Sequence, residues 1–221
     1  MNKKSYHMAE RLRTASMLTF IGGFMDAYSF KTQGGHFSGM QTGNMIYLMM
    51  ELAAGRYWSA LSYLLPIVCF ILGAMFTYFI RKKITEKRGP WYLTSATLMF
   101  IGIFIIGLSS MTSYNQLTVA LLAFFAAIQA ETFKHVRGTP YANIMMTGNL
   151  KSFSVFLAQG ISERDPIYIR KARNTFLVVL AFAFGAYLSA KLSNYMGSNT
   201  IFLLMIPFAA LICILYGEEK K

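Results

Sequence analysis

The stretch 40–55, MQTGNMIYLMMELAAG, returns 105 positions later as 145–160, MMTGNLKSFSVFLAQG. In both copies a Thr-Gly-Asn triplet, Thr42-Gly43-Asn44 and Thr147-Gly148-Asn149, is followed by an apolar run that ends at a glycine, Gly55 or Gly160. The 11 residues from each Asn to that glycine make a helix of about 16 Å at ~1.5 Å per residue, half of a ~30 Å hydrocarbon core. Thr or Asn at the start suits an N-cap, and Gly55 and Gly160 suit C-terminal stops. Both segments therefore read as re-entrant half-helices. The non-helical stretches 31–41 and 137–146 lead into them and dip into the membrane within a protein-lined cavity, the setting in which irregular backbone is tolerated.

Working outward, the same shift aligns Phe20 with Phe125 and Met40 with Met145, and pairs Asp26 with Glu131. A seven-residue insertion at 162–168 moves the offset to 112, after which Phe70, Gly73 and Ala74 match Phe182, Gly185 and Ala186. The chain is thus a duplication, with a first repeat at about 8–110 and a second at about 115–217 inside one membrane domain, 1–221.

The setting follows from composition. The 221 residues are 55% hydrophobic and 14% charged, where a soluble chain carries about a quarter charged residues to cover its surface. Six apolar stretches, roughly 17–30, 58–80, 91–109, 117–130, 176–190 and 201–216, are candidates to cross a bilayer as helices. Arg11, Arg13, Lys134 and Arg173 extend the shorter ones by snorkelling. Continuous apolar runs lack the alternation of a membrane barrel. The basic start leads into a span holding Asp26 without a small-residue cleavage pattern, so a retained first helix is expected. Cys69 and Cys213 fall inside apolar runs and read as buried thiols, neither a disulfide framework nor a metal site.

Charge then separates two topologies. With six spans and both termini in the cytoplasm, 18 of the 21 Lys and Arg lie inside and only Lys31, Arg56 and Lys191 outside; eight full crossings divide them roughly 12 to 9. The positive-inside rule favours six. Three spans per repeat invert one repeat relative to the other, as in many transporters. The fold class expected is an all-α integral membrane protein of six transmembrane helices plus two re-entrant half-helices, with an inverted-topology internal repeat. The net charge of +12 is explained by cytoplasmic loops, so a nucleic-acid partner is not expected.

In that arrangement the half-helix starts face each other near the midplane, each with unpaired amides and a partial charge of about +0.5 e, suited to an anion or a small polar solute. Candidate solute-binding residues are Thr42, Gly43, Asn44, Thr147, Gly148 and Asn149, with Asp26, Gln129, Glu131 and His36. The alternative for the triplets is that they cap and glue helices. Asp26 is the stronger of the two acids, since acids within spans are costly and usually functional, whereas Glu131 has Lys134 three residues on for an ordinary ion pair. Lys151 reads equally as a snorkelling cation and a cavity residue. His36, in the first dip, reads as a gating or solute-contact residue or as incidental. Pro66 reads as a kink within its span.

Enzymatic motifs are missing: there is no zinc-type His-Glu spacing, Gly-x-Ser-x-Gly elbow or phosphate loop, and no cofactor or metal is expected. An intramembrane enzyme using Asp26 and Glu131 is a lesser reading, because inversion would separate those acids. The main expectation is a channel or secondary transporter for a small polar or anionic solute. The alternative is a non-transporting scaffold or sensor subunit. Partners expected are membrane lipid and that solute, with self-association permitted by small-residue faces such as Gly102 and Gly107.

These residues resemble the YoaK family of bacterial multi-pass membrane proteins. The likeness rests on Gly23-Phe24-Met25-Asp26-Ala27, Gly34-Gly35 and Thr42-Gly43-Asn44, and in the second half on Gln129, Phe133, Lys134 and Thr147-Gly148-Asn149-Leu150-Lys151. It covers nearly the whole chain and departs at Ile144-Met145-Met146, where members often carry threonines. It implies a bacterial inner-membrane location and no activity.

Overall fold

A computed structural model describes residues 6–86, 90–112 and 115–219. Its helices are α1 (Leu12–Thr32), α2 (Gln41–Ala53), α3 (Tyr57–Glu86), α4 (Trp91–Ser110), α5 (Asn115–Thr132), α6 (Met146–Ser162), α7 (Pro166–Met196) and α8 (Met205–Glu219). A 3-10 turn, Met8–Glu10, precedes α1, and a second, Gly197–Leu204, leads into α8. Besides the helices and loops, the described residues include one hairpin, β1 (His135–Val136) with β2 (Thr139–Pro140), antiparallel with His135 opposite Pro140. Its turn uses positive φ at Arg137 and Gly138, 50° and 74°, the conformation a two-residue hairpin loop needs.

The protein is all-α and membrane-embedded. Among the described residues three helical stretches are long and apolar enough to cross a bilayer: Tyr57–Thr85, Trp91–Ser110 and Pro166–Gly217. This is fewer than the six expected, for identifiable reasons. The third stretch is 52 residues long, more than twice what a bilayer needs, and contains both α7 and α8, separated at Gly197 by φ 54° and ψ −131°. Helices α1 and α5 form where spans were expected but are diluted by polar groups, Arg13, Asp26 and Lys31 in one, Asn115, Gln129 and Glu131 in the other.

Tight crossings hold the bundle. α1 packs along α7, and α3 along α5. A Cβ on Gly23 would lie 2.1 Å from the Phe182 carbonyl oxygen, and one on Gly185 would lie 2.1 Å from that of Phe20. Gly73 of α3 meets the Phe124 carbonyl in the same way, at 2.4 Å. Only a missing side chain lets backbones approach so closely, which is how helices associate where burial from water supplies no drive. The core lies where α1 (Ile21, Phe24, Tyr28) meets α4 (Met99, Ile103), α5 (Leu122, Ala126) and α8 (Phe208, Leu211).

Directions follow from which ends touch. The Arg137 N–H, just beyond α5, donates to the Glu10 carbonyl, just before α1, at 2.7 Å, and Ala15 packs with Val136. So α1 and α5 run antiparallel. At the other end of the chain order, Ser110 at the end of α4 donates to the Ser198 carbonyl ahead of α8, while Leu215 near the end of α8 shares a cavity with Trp91 and Tyr92 at the start of α4. These two helices are antiparallel as well.

Two smaller expectations are corrected. Gly102 and Gly107 are not free faces for self-association, because the rings of Phe125 and Phe202 fill the space above them. Of the two free thiols, Cys69 is half-buried and Cys213 exposed, since the apolar runs that hold them turn much of their surface outward rather than into a core.

Candidate functional site

Each short helix begins differently from the cap that Thr or Asn would make. The N-caps are Met40 and Met145, without side-chain hydrogen bonds, so Thr42, Gly43 and Asn44 lie inside α2, and Thr147, Gly148 and Asn149 inside α6. Both threonines are exposed, Gly43 is half-buried and Gly148 exposed. The asparagines turn inward and reach back seven residues. Asn44 Oδ1 accepts from the Phe37 N–H at 2.9 Å while its Nδ2 donates to the Phe37 carbonyl at 2.8 Å. Asn149 repeats this on Ala142, at 3.0 and 2.6 Å. Each carboxamide thus imitates a β-ladder partner and ties an irregular strand to the helix that follows, satisfying backbone groups that would otherwise be buried unpaired.

The helix ends are unlike. Gly55, at φ 71°, stops α2 as expected. Gly160 does not stop α6, which continues to Ser162; a Cβ at Gly160 would lie 2.5 Å from Ile169 Cδ1, so this glycine admits α7 instead.

Asp26, 6% exposed on α1, holds the last turn of the first loop. Its Oδ1 accepts from the Ser38 hydroxyl at 2.8 Å and from the Gly39 N–H at 2.6 Å. A Cβ on Gly39 would stand 3.2 Å from Ile144 Cβ. Gly39 immediately precedes the N-cap of α2 and Ile144 that of α6, so the two short helices begin on either side of one contact. Sequence alignment at the 105 offset pairs these same two residues. The second loop is held by amides instead of a carboxylate. Asn143, which matches Ser38, donates to the Gln129 and Phe133 carbonyls, and Gln129 donates to Asn143 Oδ1 and to the Leu18 carbonyl on α1. Gln129 therefore joins the centre.

Glu131 does not. It forms the expected ion pair with Lys134, with both side chains more than two-fifths exposed. It lies at the rim of a cavity of about 360 Å³ beside the second loop, lined further by Tyr141, Asn143, Ile144 and Met145. His36 is 8% exposed. Its Nδ1 lies 2.9 Å from the Gln33 carbonyl and its Nε2 2.9 Å from Ser62 Oγ on α3, and its ring packs on Tyr63. It joins the first loop to α3. Lys151 is exposed, and α3 runs unbroken through Pro66.

Ser38, Gly39, Asn143 and Ile144 are not among the candidate residues read from the sequence. The 105-residue offset pairs them, Ser38 with Asn143 and Gly39 with Ile144, but the residues at those positions differ and so do not stand out.

A family model described as a protein of unknown function, DUF1275, matches residues 14–215. The chain belongs to the DUF1275 family. The match spans α1 to α8, both loops and both Thr-Gly-Asn triplets, and agrees with the resemblance carried by those motifs. Neither the curated proteins nor the solved structures yield a match. Within this DUF1275 protein no group of three or more metal-ligating side chains is found among the described residues.

Proposed function

We propose that this protein is a channel or secondary transporter for a small polar or anionic solute in a bacterial cytoplasmic membrane, built as an inverted repeat of six spans and two re-entrant short helices. The observation that carries this reading is the meeting of the two short-helix starts at Gly39 and Ile144. The antiparallel course of α1 with α5 and of α4 with α8 supports the inversion, because those helices are equivalent in the repeat. In six-span order the polar helices α1 and α5 cross within the shelter of the bundle, and α7 and α8 cross separately.

At the start of α2, Asp26 already supplies the negative partner to the loop amides. The start of α6 has no side-chain cap and borders the cavity beside the second loop, so its amides are the ones that meet the solute, with Thr147 and Gly148 alongside. The Gly39–Ile144 contact closes the path between that cavity and the opposite side. Proteoliposome flux over a panel of small solutes tests this. Ile144→Ala is expected to raise flux and Ile144→Trp to abolish it; equal flux in both folded variants removes the site.

The second reading is a non-transporting scaffold or sensor subunit. It is favoured by the asparagines, whose carboxamides are spent on their own loops. Absence of flux for every solute in the panel supports it.

A further inference from the structure

Helix α7 carries an exposed stripe, Leu177, Leu180, Phe184 and Tyr187, at the three- and four-residue spacing of a single helix face. From Leu177 to Tyr187 it runs about 15 Å at ~1.5 Å per residue, the depth of one leaflet of a ~30 Å core. The same spacing continued towards the start of the helix reaches Arg173 and then Arg170, both exposed. A lipid whose chains lie along the stripe therefore sets its headgroup against two guanidinium groups.

The other repeat supplies an internal comparison. At the offset of 112, Leu61, Val68, Leu72 and Met75 of α3 match Arg173, Leu180, Phe184 and Tyr187, and they are exposed as well. Trp58, also exposed, stands in the place of Arg170. An indole suits the interface of any phospholipid, whereas a pair of arginines suits one with negative charge. The turns ahead of the two helices differ in the same sense. Arg56, between α2 and α3, is held by both carboxylate oxygens of Glu51, at 2.6 and 2.8 Å. Between α6 and α7 the inserted segment adds an exposed Arg164, and of the two acids beside it, Asp165 accepts the Ile167 N–H to cap α7 while Glu163 is exposed. Lys171 has a different use, since its ammonium lies over the rings of Tyr168 and Phe156, at 5.1 and 5.5 Å, and packs α6 on α7. A general excess of basic residues on one side of a bilayer accounts for Arg164. It does not set two arginines in register with an acyl-facing stripe.

We infer that Arg170 and Arg173, with the stripe beyond them, form a site for an anionic phospholipid. The forked guanidinium groups engage the phosphate oxygens, and the net charge of the headgroup separates such a lipid from a zwitterionic one. The site depends neither on the transport reading nor on which face of the membrane the α6–α7 turn occupies.

The test titrates the full chain, in neutral detergent, with phosphatidylglycerol or with phosphatidylcholine and counts bound lipid by native mass spectrometry. One basic residue near a membrane surface contributes about a fivefold factor in affinity, so phosphatidylglycerol is expected to bind about tenfold or more tighter than phosphatidylcholine. Arg170→Gln and Arg173→Gln should each weaken phosphatidylglycerol about fivefold, and together about 25-fold, with phosphatidylcholine unchanged. Arg56→Gln, at the corresponding turn, should leave both lipids as they were. All three side chains are exposed, so lipid-free melting temperatures should match the wild type, which separates loss of a contact from loss of the fold. Equal binding of the two lipids by the wild type, or an unchanged preference in the double variant, overturns the site. A loss in Arg56→Gln equal to theirs does so too, since it reduces the effect to overall charge.

Discussion

Replacing Gly185 by alanine probes one of the two tightest glycine approaches among the described residues. The added Cβ would lie 2.1 Å from the Phe20 carbonyl oxygen, about 0.9 Å inside the 3.0 Å below which such contacts are not found. The obstacle is backbone, so no side chain can swing aside, and α1 and α7 must separate along their seam. Overpacking of this kind costs about 1–3 kcal/mol. At about 2–4 °C per kcal/mol for a chain of this size, the melting temperature in detergent should fall by roughly 2–12 °C. Gly23→Ala strikes the same crossing from the other helix, at 2.1 Å from the Phe182 carbonyl. Once one alanine has parted the helices the second has little left to displace, so the double variant should lose less than the sum of the singles. Gly148 provides the control, being helical with nothing within 4 Å of an added Cβ. There alanine should stabilise by about 0.5–1 kcal/mol through helix propensity. A Gly185→Ala protein that melts with the wild type would refute the close-packed seam.

Three further outcomes are expected. Asn44→Leu strands the Phe37 N–H and carbonyl and should destabilise by about 2–6 kcal/mol at about 1–3 per unpaired group, with Asn149→Leu alike at Ala142; Asn44→Asp, which keeps the acceptor, should lose less in the same melts. His36→Phe keeps the ring packing on Tyr63 but deprives the Gln33 carbonyl and Ser62 of a partner, and a loss smaller than that of Asn44→Leu is expected by thermal melt. Single cysteines at Tyr57, which opens α3 just beyond α2, and at Ile161, near the end of α6, 69% and 66% exposed, should react with a membrane-impermeant thiol reagent from opposite faces once Cys69 and Cys213 are replaced. Labelling from the same face would end the inverted-repeat proposal.

Much of the architecture is legible in the residues because it is repetitive and apolar. Hydrophobic runs locate α1, α3, α4, α5, α7 and α8 to within a few residues at most ends, and the recurring Thr-Gly-Asn segment locates α2 and α6 together with the loops before them. The ion pair of Glu131 with Lys134 was likewise available, because three residues on a helix bring side chains to one face whatever surrounds them. These are local facts, set by spacing along the chain.

What surrounds each side chain is not local. Asn44 looks like a cap or a ligand from its neighbours in sequence, yet it binds the backbone seven residues back, because the loop folds over the helix start and its buried amides need a partner. Gly160 looks like a stop and is instead the hollow that receives Ile169. Gly102 and Gly107 look like surface for another copy and are filled by Phe125 and Phe202. Asp26 and Glu131 occupy matching positions, but one is enclosed by a loop and the other lies open beside a lysine. Sequence alone determined the membrane class and where the helices form, since periodicity and hydropathy act over a few turns. Only the tertiary structure decided which polar groups face one another, since burial and hydrogen bonding depend on how loops fold over helix starts and on which helices meet, from Asn44 with Phe37 seven residues back to Gln129 with Leu18 on α1.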